Sequence, residues 1–381
     1  MTGRVVLWVQ HLLGTGHLRR SAAIARATAA QGLDVTLLSG GMPVPHLDLG
    51  AARLVQLTPL RAIDESFSGL ALASGDAATP RDLDTRRDEA RALMETTKPD
   101  LLITETFPFG RRQLRDEALA LIERARAGGA TTAVSVRDIL QRQTKPGRYE
   151  EMLALALRHI DHVMVHGDPR LVPFDLTFPL AGQLGERLRY TGYIAGKTAR
   201  REAGGPGDGE IIVSVGGGAT GAPLLAAALD ARAAAAAAGN RVWRLLVGHD
   251  LMAGDLASRL TDPPSGVVVE EARPDFAALL ANCAVSVSQA GYNTAVDILA
   301  AGARSVLVPF ARGGETEQRD RAERLADLGV AIMVEEAALS PERLAAAVDD
   351  ALAGAPPDPA GFDLDGAAKS AALITEWASR G

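Results

Sequence analysis

Val5-Val6-Leu7-Trp8-Val9-Gln10-His11-Leu12-Leu13-Gly14-Thr15-Gly16-His17-Leu18-Arg19-Arg20 reads as an apolar strand, a glycine turn and the opening of a helix. The apolar run is too short to cross a membrane, no small-residue cleavage site follows it, and it suits a strand buried in a parallel sheet. The same order returns at Val213-Ser214-Val215-Gly216-Gly217-Gly218-Ala219-Thr220-Gly221. It returns again where the strand Ala284–Val287 runs into Ser288-Gln289-Ala290-Gly291-Tyr292-Asn293-Thr294-Ala295-Val296-Asp297. Strand, turn and helix in repetition imply βαβ units and an α/β fold.

Outward from these stretches, strands are expected near residues 4–10, 34–39, 53–57, 101–104, 132–136 and 162–166. Helices are expected near 17–31, 85–97, 112–127 and 148–158. Residues 59–80 carry scattered Gly, Ser and Pro with little periodicity and read as a long loop. The run Arg200-Arg201-Glu202-Ala203-Gly204-Gly205-Pro206-Gly207-Asp208-Gly209 is too rich in glycine and proline for a regular element. The pattern then restarts with strands near 210–215, 242–247, 267–271, 284–287, 305–308 and 331–334. A helix is expected over Leu224–Ala238, where the alanine run 233–238 has high helix propensity. The expected division is therefore an N-terminal Rossmann-like domain over 1–199, a linker over 200–209 and a second Rossmann-like domain over 210–365. A last helix over 366–381 is expected to pack back on the first domain.

A chain of 381 residues exceeds the usual size of one hydrophobic core, so two domains are the natural expectation. Hydrophobic residues make up 47% and charged residues 23%, which excludes a disordered chain. A formal charge of −7 argues against a nucleic-acid binder. Cys283 is the single cysteine, which excludes internal disulfides and cysteine metal clusters and fits a cytoplasmic setting.

Gly14-Thr15-Gly16-His17 lies where a helix N-terminus offers unpaired N–H groups to a ligand. Arg19 replaces the third glycine of a dinucleotide fingerprint. His17 stands at the mouth of a parallel sheet, with a side chain suited to accepting a proton near neutrality; the plainer role is to cap its own helix. His11 is a second, less well placed candidate. Gly216-Gly217-Gly218 offers a phosphate cradle but lacks the lysine of a P-loop. Asp297 lies one helical turn after Asn293, where a carboxylate can receive ribose hydroxyls; as a bare i+4 carboxylate it is more often a solvated residue. Glu315-Thr316-Glu317-Gln318-Arg319 reads plainly as a salt-bridged helix start.

Taken together, Ser288, Gly291, Thr294, Asp297, Ala301-Gly302, Val308-Pro309-Phe310, Glu317-Gln318 and Arg321-Ala322 resemble the donor half of GT-B glycosyltransferases. The pattern is similar to that of the N-acetylglucosaminyltransferases of peptidoglycan synthesis, the family 28 type. Gln10–Leu18, Thr104–Gly110 and Ser135–Leu140 resemble a family of predicted bacterial glycosyltransferases. The resemblance implies two Rossmann-like domains facing across a cleft, with a nucleotide-sugar, UDP-linked by preference, held by the C-terminal one. It implies Asp297 at the ribose, Glu317 and Gln318 at the sugar hydroxyls, Gly217 and Gly218 at the diphosphate, and Ala272 and Arg273 at the base, with Gly291 and Thr294 in the same site. Lys197 takes the place, one position late, of an arginine that meets the diphosphate. Aspartate replaces the family's glutamate at 297.

On the acceptor side the resemblance makes His17 the base, with Gly14, Gly16, His11, Glu105, Arg137 and Asp138 around it. Glu105 read plainly is a loop carboxylate paired with Arg111 or Arg112. The expectation is transfer of a hexose to an acceptor, inverting and without metal or cofactor; peripheral membrane contact remains compatible with it. A nucleotide-sugar hydrolase of the pseudaminic-acid type, a 2-epimerase and a non-catalytic sugar-nucleotide binder stand as alternatives.

Overall fold

The computed structural model describes residues 2–64, 68–196, 198–215, 221–248, 256–311 and 316–379. Contacts divide the chain into two compact units, one of residues 1–194 with 365–381 and one of residues 195–364.

The first unit contains β1 (Arg4–Val9), α1 (Gly16–Ala30), β2 (Asp34–Ser39), β3 (Arg53–Gln56), β4 (Leu60–Ala62), β5 (Leu70–Leu72) and α2 (Pro80–Thr97). It continues through β6 (Leu101–Glu105), α3 (Arg115–Ala127), β7 (Thr131–Arg137), α4 (Arg148–His159), β8 (His162–His166) and β9 (Leu188–Tyr190). Among the described residues, seven strands form one sheet in the order β3-β2-β1-β6-β7-β8-β9, with every pairing parallel. Strand order reverses between β1 and β6, so the loops after these two strands flank a switch point, where open α/β sheets take ligands. The pleat explains the continuous apolar reading of β1. Val5, Leu7 and Val9 join the core on one face, and Val6 and Trp8 the core on the other. A strand buried on both faces needs no polar alternation.

The residue 59–80 stretch is not a plain loop. β4 and β5 pair antiparallel as a small hairpin, with Leu60 opposite Leu72. Three-residue strands are too short to leave a periodic signature. α2 opens five residues earlier than the periodicity indicates, because Thr79 and Asp82 form a capping box before Pro80.

The second unit contains β10 (Ile211–Ser214), α5 (Ala222–Ala234), β11 (Trp243–Val247), α6 (Ala257–Thr261), β12 (Val267–Glu271), α7 (Phe276–Asn282) and β13 (Val285–Ser288). α8 (Tyr292–Ala301), β14 (Ser305–Leu307), α9 (Glu317–Asp327), β15 (Ile332–Met333) and α10 (Pro341–Ala353) follow. Its sheet runs β12-β11-β10-β13-β14-β15, again parallel throughout. The switch point here falls between β10 and β13. The helix expected over 224–238 stops at Ala234. Asp349 on α10 accepts the backbone N–H groups of Ala237 and Ala238 at 2.9 and 3.1 Å, which holds the rest of the alanine run in a turn.

Residues 200–209 are packed on the second unit. The Glu202 N–H donates to Asn282 Oδ1 at 2.7 Å, and Asn282 Nδ2 donates to the Pro206 carbonyl at 3.0 Å. The last helix, α11 (Gly366–Ala378), belongs to the first unit. Trp377 stacks on His162 at 4.0 Å with 4° between the rings, and Ile374 and Ala378 enter the same core as β1.

Candidate functional site

At the C-terminal edge of the first sheet, β1 leads into α1 and places His17 in its first turn. Glu105 is the last residue of β6 and is 2% exposed. Its Oε1 accepts from His17 Nδ1 at 2.6 Å and from Arg20 Nη2 at 2.6 Å. Arg20 follows His17 by three residues, so the helix sets both donors on one face. A carboxylate only accepts, so the proton of a neutral His17 resides on Nδ1 and Nε2 carries the free lone pair. The Nδ1–Arg20 approach of 3.2 Å then reflects two donors converging on one oxygen.

Burial drives His17 down to about 3, with Arg111 and Arg137 acting in the same sense and Glu105 only partly offsetting them. The ring is therefore neutral at pH 7, but a much weaker base than the near-neutral value expected from sequence. Burial by itself would raise Glu105; the His17 ring, Arg20 and Arg111 outweigh it and hold the carboxyl below the usual range. Glu105 pairs with His17 and Arg20 through hydrogen bonds. Arg111, the partner expected from sequence, acts on it only as a nearby charge, and no contact with Arg112 accompanies it among the described residues.

The surrounding groups divide into support and open chemistry. His166 on β8 is fully buried between Ser135 Oγ (2.7 Å from Nε2) and Thr191 Oγ1 (2.8 Å from Nδ1), and burial drives it to about 3. Asp138 is also fully buried, with Oδ1 accepting from the Ile139 N–H at 2.9 Å and Oδ2 from the Tyr193 hydroxyl at 3.2 Å. Its carboxylate braces the loop after β7. Arg137 ends β7 opposite His166. His11 is buried against Gly41, where a Cβ would stand 2.3 Å from its Nδ1. Burial lowers its pKa, and neither ring nitrogen has a hydrogen-bond partner among the described residues. Gly14 lies in the exposed loop after β1, and Gly16 is the first residue of α1.

In the second unit, Gly291 precedes α8 with φ −60, and a Cβ there would meet nothing within 4 Å. Nothing in the protein demands a glycine at that point. Asp297, one turn further along, is half-buried, and desolvation lifts its carboxyl to about 6. That is a buried charge rather than the solvated residue of the plain reading. Thr294 is half-buried on the same helix. Gln318 Oε1 accepts from the backbone N–H of Ala290 and of Phe310, both at 3.1 Å, so its carbonyl clamps two loops together. Glu317 is 5% exposed and accepts from Arg321 Nη2 at 3.0 Å. Arg321 in turn donates to the Ala290 carbonyl at 2.9 Å. The two side chains expected at sugar hydroxyls are thus tied into the scaffold. The Ala272 N–H donates to the Val247 carbonyl, and Arg273 grips Asp275 through Nε and Nη2 at 2.8 and 2.6 Å. Lys197, Gly217 and Gly218 lie outside the described residues.

Residues 212–359 match the glycosyltransferase family 28 C-terminal domain. Two bacterial relatives agree with that match. Both are UDP-N-acetylglucosamine–N-acetylmuramyl-(pentapeptide) pyrophosphoryl-undecaprenol N-acetylglucosamine transferases. The one from Methylibium petroleiphilum is 41% identical over 80 residues, covering 21% of this chain and 22% of the relative. The one from Aromatoleum aromaticum is 30% identical over 179 residues, covering 46% and 49%. The chain thus spans half or less of the length of these curated relatives. The crystal structure of the glycotransferase of kitacinnamycin superposes with a TM-score of 0.65 at 21% identity, covering 99% of both chains. The chain has the GT-B fold.

Within that fold, sequence reasoning singled out His17, Glu105 and Asp297 and named Arg111 as a partner of Glu105, but gave Arg20 no role beside them. The i, i+3 spacing of His17 and Arg20 was the available signal for it. Among the described residues, no cluster of three His, Cys, Asp or Glu side chains is placed to hold a metal ion. No described helix is long and apolar enough to cross a membrane.

Proposed function

We propose that this chain is a glycosyltransferase that moves a hexose-type sugar from a nucleoside diphosphate, UDP by preference, to an acceptor hydroxyl, with inversion and without a metal. The observation that carries the reading is the neutral His17 held through Nδ1 by the Glu105–Arg20 pair, with Nε2 left as the proton acceptor. In the reaction, Nε2 takes the acceptor proton, the acceptor oxygen bonds to the anomeric carbon, and the bond from that carbon to the diphosphate breaks with its electrons on the leaving group. Glu105 stabilises the imidazolium as it forms. The half-buried Asp297 carboxylate, destabilised by desolvation, gains from accepting ribose hydroxyls. The open space at Gly291 suits close approach of a donor to the start of α8.

A thermal-shift panel of UDP-, GDP-, dTDP- and CMP-sugars tests the donor. One of them raises the melting temperature, and a flat panel overturns the reading. His17→Ala keeps that shift and loses about 10²–10⁴-fold in turnover. Free sugar formed at full rate without any acceptor would assign the same machinery to hydrolysis.

A further inference from the structure

In the first unit, one guanidinium ties together the chain ends that follow β1, β2 and β3. Arg86 on α2 and Gln10 after β1 are fully buried, and Glu117 on α3 is 4% exposed. Arg86 Nε donates to Glu117 Oε2 at 2.6 Å, and Nη2 to Glu117 Oε1 at 3.1 Å. Its Nη1 donates to the carbonyls of Gly40, after β2, and Thr58, after β3, at 2.6 and 2.7 Å. The second Nη2 bond goes to Gln10 Oε1. All five N–H groups of the side chain are thus used, and the planar fork fixes their directions. Gln10 passes the grip on, its Nε2 donating to the carbonyls of His11 at 2.9 Å and Leu60 at 3.1 Å. The Ala62 N–H, on β4, adds a bond to the Leu12 carbonyl at 2.9 Å. A Cβ at Gly40 would strike the guanidinium, so glycine at that point makes room for Arg86.

Stability alone gives little reason for this arrangement. A buried ion pair recovers only part of its desolvation cost, and apolar side chains of similar volume often do as well or better. What the pair supplies is direction. Three strand ends are bound to one rigid group, and the residues after Gln10 lead directly to His17 in the first turn of α1. We infer that Arg86, braced by Glu117, is a positioning residue for His17, acting through Gln10 and the loop of residues 10–15 without touching a substrate. The inference rests on the glycosyltransferase reading for its effect on turnover, while the effect on His17 stands on the first unit alone. His17 Nε2 must meet the acceptor hydroxyl at hydrogen-bond distance, and a displacement of about 1 Å costs about 10²-fold in rate. Donor binding, which the same reading gives to the second unit, is left unchanged.

The test uses the full chain, labelled with nitrogen-15 at its seven histidines, and two variants. Arg86→Met with Glu117→Leu removes the pair and keeps most of its volume. Gln10→Met leaves the pair and cuts its link to the loop, and it serves alone where the double variant fails to fold. The ring signals of His17, identified by their loss in His17→Gln, are expected to move in each variant. Nucleotide release from the sugar donor that stabilises the chain is expected to fall about 10–100-fold in kcat with the donor KM unchanged. A pair that only stabilises the fold leaves the His17 signals in place and the kcat of the folded variants at the wild-type value; either result overturns the inference. Where the wild type releases no nucleotide from any donor, the glycosyltransferase reading fails instead, and the His17 signals alone decide the positioning role.

Discussion

Lowering the pH from 7.5 to 5.0 is expected to destabilise the first unit selectively, through His166. Its ring is fully buried between two hydroxyls and is driven to about 3, first by burial and then by Arg20. In the unfolded chain the same ring takes a proton near the ordinary value of about 6.5. The folded value lies below the unfolded one, so the stability is fully present above roughly pH 6.5 and is lost as pH falls from there toward 3. At pH 5.0 the unfolded state gains about 2 kcal/mol from one such histidine, by linkage. His17, half-buried and neutral in the same unit, pulls in the same direction and brings the total to about 4 kcal/mol at most. With a urea m value of about 2 kcal/mol/M, the midpoint falls by roughly 2 M. Urea unfolding in a Trp243→Phe background isolates the first unit, because Trp8 and Trp377 both lie there. His166→Gln removes about half of the pH dependence. A midpoint equal or higher at pH 5.0 refutes the reasoning, since it requires that the buried rings already carry protons or shed no stability on doing so.

Asp297 has the opposite sign. Its folded value is raised to about 6 by desolvation, so the ionised form burdens the second unit at neutral pH, and the burden fades as pH falls through 6. Asp297→Asn should therefore stabilise that unit by about 2 kcal/mol at pH 7.5, read by the Trp243 transition. The same variant should lose about tenfold in UDP affinity and the weakening that wild type shows below pH 6, measured by calorimetric titration. Gly41→Ala drives a methyl into the His11 ring, 2.3 Å away; urea denaturation should show a loss of about 1–3 kcal/mol. Glu117→Leu strands the Arg86 charge, whose Nε donates to Glu117 at 2.6 Å in a fully buried position, and should cost about 3–5 kcal/mol, whereas Arg86→Met with Glu117→Leu recovers much of it.

Much of the fold was legible because both sheets are parallel and their central strands are buried on two faces. Their strands are then continuous apolar runs, and each glycine turn into a helix marks a strand's C-terminal end. The β4–β5 hairpin escaped because strands of three residues have no period to read. The alanine run stopped short of its helical propensity because Asp349, more than a hundred residues away, accepts its N–H groups. At the site, motif order was enough to single out His17, Glu105 and Asp297. The chemistry of each depends on neighbours distant in sequence, such as the 88 residues that separate His17 from Glu105.

The sequence by itself determined the βα alternation, the two-sheet class and the residues at the strand ends, since these follow from local periodicity and turn chemistry. Only the tertiary structure decided their charge states. It turned His17 from a near-neutral titrating group into a buried neutral ring on Glu105, and Asp297 from a surface carboxylate into a desolvated one. It also committed Gln318 to two backbone amides. Proton affinity is set by the dielectric and the charges within a few ångströms, and that neighbourhood exists only once the chain has folded.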